Sequence, residues 1–88
     1  MSYKIKFHKQ AFKDFEKIKQ NKTLYDNVKR LIQLLSDNPY QIPPPYEKLV
    51  GNLSGLYSRR INIQHRLIYD VNDKEKIVRI FRMWTHYE

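Results

Sequence analysis

The sequence contains no cysteine, and this absence excludes disulfide bonds, thiolate metal sites and cysteine nucleophiles. Glycine is almost as scarce: Gly51 and Gly55 are the only two, and their spacing cannot form a glycine-rich phosphate-binding loop. No apolar run approaches the roughly 18 residues of a membrane span, and none follows the N-terminal charges as it would in a signal peptide. The sequence therefore predicts a soluble, cytoplasmic domain that has no membrane partner and is stabilised by packing alone.

Histidine is also sparse, at positions 8, 65 and 86, and none has the spacing of a metal ligand relative to another histidine or a carboxylate. We therefore expect no metal ion and no cofactor. A serine-histidine-aspartate triplet could be drawn from Ser54, His86 and Asp70, but no nucleophile-elbow motif surrounds the serine. Catalysis by a serine triad is not predicted.

Acidic residues are few, with nine Asp and Glu against 17 Lys and Arg, which gives a formal net charge of +8. This charge favours contact with polyanions such as nucleic acid, an acidic protein or a ribosomal surface. Residues 38–69 contain Glu47 as their only acid, and the cations in this stretch are Lys48, Arg59, Arg60 and Arg66. The sequence thus predicts a lone carboxylate among cations.

The first half of the chain has the periodicity of one strand followed by two helices. Residues 3–7 alternate between apolar and polar side chains, as in a half-buried strand. Apolar residues recur at helical spacing over residues 9–19. A second amphipathic helix is predicted to begin near Asn21 or Thr23, either of which can cap it, and to end at residues 36–39.

The second half of the chain is typical of sheet. All four prolines lie within residues 39–45, where they favour an extended, stiff connection. Three strands are predicted over residues 56–63, 65–71 and 76–86, and consecutive strands joined by short turns run antiparallel. The predicted fold is α+β, a two-layer β-α-α-β-β-β arrangement with two N-terminal helices packed on an antiparallel sheet, in a single domain spanning residues 1–88.

Acid-base cleavage of RNA is the chemistry that the remaining residues fit. RNA supplies its own nucleophile, the 2′-hydroxyl, so the protein needs only a base, an acid and cations. A glutamate carboxylate can take the 2′ proton, and an imidazole can give a proton to the leaving 5′-oxygen. Arginines then stabilise the extra negative charge on the pentavalent phosphate. Glu47, His86, Arg60 and Arg66 could fill these roles without a metal ion.

These residues also have simpler interpretations. Glu47 could be a solvated loop carboxylate, and Arg66 could form a salt bridge with Asp70 or Glu75. Arg59 is predicted to make only surface or structural contacts. On composition alone, catalysis is not predicted.

Four segments of the chain resemble a known family of bacterial proteins. They are Glu47–Leu49, Asn52–Ile61, His65–Tyr69 and the pair His86-Tyr87. Together they are similar to the YoeB (Txe/YoeB) toxins of the RelE-like superfamily, and the similarity covers most of the chain. The resemblance implies a microbial-ribonuclease-like fold and a toxin of a type II toxin-antitoxin system. The implied activity is a ribosome-dependent, metal-independent endoribonuclease that cleaves mRNA in the ribosomal A site and so inhibits translation.

The resemblance also implies roles for individual residues. The catalytic group is Glu47 as general base, Arg66 at the phosphate and His86 as general acid. Arg60 then binds the phosphate as well, and Tyr87, the terminal aromatic residue, is a candidate for stacking on a nucleotide.

The chain departs from the family pattern at two positions. Val50 stands where the family commonly has a lysine, which leaves Lys48 as the nearest candidate cation for substrate binding. Glu88 follows the usual His-Tyr ending.

The partners implied by the resemblance are mRNA, the 70S ribosome, a cognate acidic antitoxin similar to YefM, and a second copy of the chain in a homodimer. One alternative of a different class stays open. The chain could be a non-nucleolytic RelE- or ParE-like toxin, or a module that binds RNA or the ribosome without cutting.

Overall fold

Two helices and five strands make up the chain in a computed structural model that describes residues 2–84. In chain order they are β1 (Lys4–Phe7), α1 (Lys9–Ile18), α2 (Lys22–Asp37), β2 (Tyr46–Lys48), β3 (Tyr57–Arg60), β4 (Arg66–Asn72) and β5 (Ile77–Arg82). A single 3₁₀ turn, Gly51–Leu53, separates β2 from β3. Neither helix in this part of the chain has the length and apolar character needed to cross a bilayer.

Side chains cap both helices at the positions where they begin. Asn21 Oδ1 accepts a hydrogen bond from the backbone N–H of Leu24 at 3.1 Å, which makes Asn21 the N-cap of α2, one of the two predicted. His8 Nδ1 caps α1 by accepting from the backbone N–H of Gln10 at 3.3 Å. The predicted order of one strand and two helices is confirmed, because local periodicity and capping determine these elements.

The sheet has the order β1-β5-β4-β3-β2 and differs from the prediction in two respects. β1 pairs in parallel with β5, so the sheet is mixed rather than wholly antiparallel. β2, an edge strand of three residues antiparallel to β3, was not predicted. Both features depend on pairing between distant segments, which local patterns do not reveal. The α+β class with two helices packed on the sheet is confirmed.

Two of the predicted strands were also too long. β3 covers residues 57–60 instead of 56–63, and within the described residues β5 ends at Arg82. β4 lies close to its predicted position and occupies the centre of the sheet.

The hydrophobic core lies between the helices and one face of the sheet. α1 contacts β5, and α2 contacts β1. Fully buried core residues come from both layers: Ala11, Ile18, Val28, Leu35, Leu67, Tyr69, Val78, Ile80 and Met83. This packing fixes the inner strands of the sheet, and two of them, β3 and β4, carry Arg60 and Arg66.

The proline-rich segment curves around a buried arginine and is not the extended connection that was predicted. The fully buried Arg59 donates through Nη1 to the carbonyl oxygen of Pro44 at 2.7 Å. Its Nη2 donates to the carbonyl oxygens of Pro39 at 2.8 Å and Gln41 at 2.9 Å. Prolines contribute backbone acceptors without N–H donors, so their carbonyl groups are available to a guanidinium. Arg59 therefore makes structural contacts rather than surface contacts.

Candidate active site

A groove of about 760 Å³ lies along β2, β3 and the start of β4. It is lined by Pro44, Pro45, Glu47, Ser58, Arg60, Ile61, Asn62, Ile63 and Arg66. In the strand ladder Glu47 lies opposite Ser58, and Arg60 lies opposite Arg66. Residues paired in this way project from the same face of a sheet, so one carboxylate and two guanidinium groups share the groove. Within residues 2–84, no cluster of three or more histidine or carboxylate side chains could hold a metal ion.

The central contact in the groove is an ion pair between β2 and β4. Arg66 Nη2 donates to Glu47 Oε1 at 2.5 Å. The side chain of Glu47 is 67% exposed, whereas that of Arg66 is 21% exposed. Glu47 lies in strand β2 and not in a loop. Arg66 pairs with Glu47 rather than with Asp70 or Glu75, and Asp70 is held by Arg79.

Arg60 lies between this groove and a smaller depression of about 340 Å³ beside α2. The two depressions share Pro44, Arg60 and Ile61, and the smaller one adds Arg30. Arg60 is exposed and takes part in no ion pair among the described residues. Its guanidinium can therefore bind an anion from solution without first giving up a carboxylate partner.

Ser58 is a groove residue that sequence reasoning missed. Its side chain is 1% exposed, and its hydroxyl has no hydrogen-bond partner among residues 2–84. It lies opposite Glu47 in the ladder. Strand alternation places Ser58 on the same face as Arg60, but only a predicted β2 could have placed it beside Glu47.

The structure does not bring Lys48 into the groove. Lys48 follows Glu47 in β2, so strand alternation directs its side chain to the opposite face. It is exposed and is not among the residues that line the groove. His86 and Tyr87 lie outside the described residues, so their roles stay predictions.

A buried carboxylate anchors the end of β5, the strand that leads toward His86. Asp14 of α1 is fully buried, and its Oδ2 accepts from Arg82 Nε at 2.8 Å and from the backbone N–H of Met83 at 3.0 Å. Burial alone would raise the pKa of Asp14, but these hydrogen bonds and the charge of Arg82 together hold it below its ordinary value. Trp84, next along the chain, stacks on His65 with ring centroids 4.4 Å apart.

Comparisons of the sequence with known proteins give one family. Residues 7–87 match the model of the YoeB-like toxin of bacterial type II toxin-antitoxin systems. The toxin YoeB of Synechocystis sp. is 35% identical to this chain over 97% of the chain and 98% of its own length. The toxin YoeB of Escherichia coli K12 is 38% identical over 68% of this chain and 73% of its own length.

Solved structures agree with the sequence comparisons. A chain in the YoeB-YefM toxin-antitoxin heterotetramer of Staphylococcus aureus is 36% identical, with a TM-score of 0.82 over 99% of this chain and all of that chain. The YoeB/ParE toxin from Agrobacterium tumefaciens superposes with a TM-score of 0.88 over 96% of this chain and 99% of its own, and its 24% identity supports the fold alone. With its mixed sheet, its charged groove and these relatives, the chain belongs to the YoeB-like toxins of bacterial type II toxin-antitoxin systems.

Proposed function

We propose that this toxin is a ribosome-dependent endoribonuclease that cleaves mRNA in the A site without a metal ion. The observation that carries the proposal is the 2.5 Å contact between Glu47 and Arg66 in a groove that also holds Arg60. It sets an exposed carboxylate, able to act as a base, directly beside a cation able to bind a phosphate. Attack by an RNA 2′-hydroxyl needs these two groups side by side.

The proposed reaction begins when the scissile phosphate replaces the Glu47 carboxylate on Arg66. Arg60 binds a second phosphate oxygen, and the freed Glu47 takes the proton of the 2′-hydroxyl as its oxygen attacks phosphorus. The bond from phosphorus to the 5′-oxygen breaks, and that oxygen receives a proton from His86, which leaves a 2′,3′-cyclic phosphate and a free 5′-hydroxyl. The guanidinium groups stabilise the charge that develops on the phosphate, where one preorganised donor is worth roughly 3 kcal/mol. Tyr87 stacks on a neighbouring base in this scheme.

Charge and family membership support the ribosome as the place of action. The net charge of +8 favours association with ribosomal RNA. Beyond the groove, the depression that contains Arg30 and Arg60 offers further cations to the RNA backbone.

Two protein partners are part of the proposal. One S. aureus relative was solved as a heterotetramer of YoeB and YefM, and another structure from that organism is a YoeB dimer. For this chain we propose an acidic, YefM-like antitoxin and a homodimer. A cationic groove fits an acidic, partly disordered segment that folds as it binds.

The test is to induce the toxin in cells that carry a translated and an untranslated copy of one transcript and to map the new 5′ ends. Breaks in the translated copy alone, abolished by Glu47→Gln, are the expected result. Breaks in both copies would contradict ribosome dependence. Growth arrest without breaks would favour the non-nucleolytic alternative.

A further inference from the structure

Arg59 is a fully buried cation whose donors converge on the segment beside the groove. Its guanidinium contacts the carbonyl oxygens of Pro39, Gln41 and Pro44 at 2.7–2.9 Å. Its Nε donates to the hydroxyl oxygen of Tyr69 at 2.9 Å. A guanidinium has five N–H donors, and most of those of Arg59 are used in these contacts.

Neutral groups surround this charge. Within residues 2–84, Arg59 forms no ion pair with a carboxylate. Its guanidinium carbon instead lies 4.9 Å from the ring centroid of Tyr46 and 6.0 Å from that of Tyr69. Burial raises the pKa of Tyr69 to about 12 although the charge of Arg59 opposes the rise, so the Tyr69 hydroxyl stays neutral. Burying a cation without a carboxylate is unfavourable, and here backbone carbonyl groups and aromatic rings offset that loss.

The segment that Arg59 holds leads directly into the site. Pro44 is both a partner of Arg59 and a wall of the groove. Two residues later the chain enters β2, where Tyr46 pairs with Arg59 in the ladder and Glu47 follows. β2 is an edge strand of three residues, so its own ladder bonds hold it weakly. The contacts of Arg59 are therefore a main restraint on where Glu47 lies.

We infer that Arg59 is a positioning residue: by binding the carbonyl groups of the proline-rich segment it fixes β2, and with it the alignment of Glu47 on Arg66. This inference rests on the proposed function and extends it to a residue that does not touch the substrate. It separates the roles of two adjacent arginines, because Arg60 faces the groove and Arg59 faces the segment that forms its wall.

The experiment compares wild type with Arg59→Met in single-turnover cleavage of ribosome-bound mRNA over a range of ribosome concentrations. Misplacing a reacting group by about 1 Å lowers a rate by up to about a hundredfold, so we expect the maximal rate to fall tenfold or more. The half-saturating ribosome concentration should change by less than about threefold, because Arg60 and Arg66 still bind phosphate. An unchanged maximal rate in folded Arg59→Met would overturn the inference.

Ile18→Ala is the matched control, since Ile18 is fully buried on α1 and does not line the groove. It lowers stability through lost packing, and its maximal rate should stay at the wild-type level. If Ile18→Ala loses as much rate as an arginine variant with the same denaturation midpoint, general instability explains the loss and the inference fails.

Two milder variants decide the question if Arg59→Met does not fold. Arg59→Lys keeps the charge but cannot span the three carbonyl groups, and Tyr69→Phe removes one acceptor. Both should lower the maximal rate below that of wild type, with little change in the half-saturating ribosome concentration. Wild-type rates in both variants would contradict the inference.

Hydrogen exchange separates this inference from the proposed function. In the arginine variants, the amides of residues 40–42 and 46–48 should exchange faster relative to core amides, whether or not the protein cleaves RNA. Unchanged exchange in this segment would overturn the positioning role. Faster exchange together with an inactive wild type would uphold the positioning of Glu47 and reject the nuclease.

Discussion

Two ion pairs of the same chemical type, Asp14 with Arg82 and Glu47 with Arg66, occupy opposite environments. Their N···O distances are similar, 2.8 Å and 2.5 Å. The Asp14 side chain is 0% exposed, and it also accepts a backbone N–H from Met83. The Glu47 side chain is 67% exposed. Access of solvent to the carboxylate, rather than contact length, distinguishes the pairs.

This difference determines what an incoming anion can do. A phosphate cannot displace Asp14 without leaving a buried charge and a buried N–H unpaired. Displacing Glu47 from Arg66 returns the carboxylate to water and gives the arginine a new anionic partner, so the exchange is nearly balanced. The pair with Arg82 is therefore structural, and the pair with Arg66 is exchangeable by substrate.

Among the substitutions considered, Asp14→Ala should destabilise the protein most. We expect the free energy of unfolding to fall by about 3 kcal/mol, because the change breaks a buried pair, although Arg82 can regain some water. Urea denaturation, monitored by circular dichroism, measures this change in the free energy of unfolding. The control is Asp26→Ala, which removes the carboxylate of a solvent-exposed pair with Lys22 and should lower the free energy by less than about 1 kcal/mol. Equal losses in the two variants would contradict the distinction by burial.

Glu47→Gln tests the other pair, and its effect should fall on activity. Removing a general base lowers a rate by about a hundredfold or more, whereas loss of this exposed pair should change the free energy of unfolding by less than about 0.5 kcal/mol. Single-turnover cleavage and urea denaturation give the two values. Glu75→Gln, an exposed residue in the turn before β5, makes the same change of charge and should alter neither. If Glu47→Gln lost as much stability as Asp14→Ala, the Glu47–Arg66 pair would be structural and not exchangeable.

Stability should also respond to acid through the buried carboxylate of Asp14. Because the folded-state pKa of Asp14 lies below its unfolded value of about 3.9, its carboxylate contributes stability above that pH and loses it as pH falls through the folded-state pKa. The free-energy difference between wild type and Asp14→Asn should therefore shrink as pH falls below about 4, by at most about 1.4 kcal/mol per pH unit. Denaturation curves at constant ionic strength measure it. If the difference in the free energy of unfolding between wild type and Asp14→Asn does not change with pH, the carboxylate of Asp14 is not the source of the acid sensitivity.

The sequence predicted well those elements whose signals are local. The N-cap at Asn21 and the apolar periods identified both helices, and alternation identified β4. β2 was not predicted, because three residues next to a run of prolines are too few to show an alternation of apolar and polar side chains. The parallel pairing of β1 with β5 was not predicted, because it joins strands from opposite ends of the chain.

For the site, the charged residues were predictable and their arrangement was not. Arg60 and Arg66 stood out as cations in predicted strands, and Glu47 stood out as the lone carboxylate upstream of them. That all three line one groove depends on β2 lying beside β3. Arg59 was predicted to make only surface or structural contacts, and only the folded proline-rich segment shows that it is buried and which carbonyl groups it binds.

Ser58→Ala should have the mildest consequence, and it tests a neutral groove residue that lies beside the exchangeable pair. Its buried hydroxyl has no partner among residues 2–84, so removing it should leave the free energy of unfolding unchanged or raise it by up to about 1 kcal/mol. Ser54→Ala, in the exposed turn before β3, is the control and should change it by less than about 0.5 kcal/mol. Urea denaturation and single-turnover cleavage distinguish the outcomes. A tenfold loss of cleavage at full stability would show that the hydroxyl acts on the substrate, and the site would then depend on more than its charges.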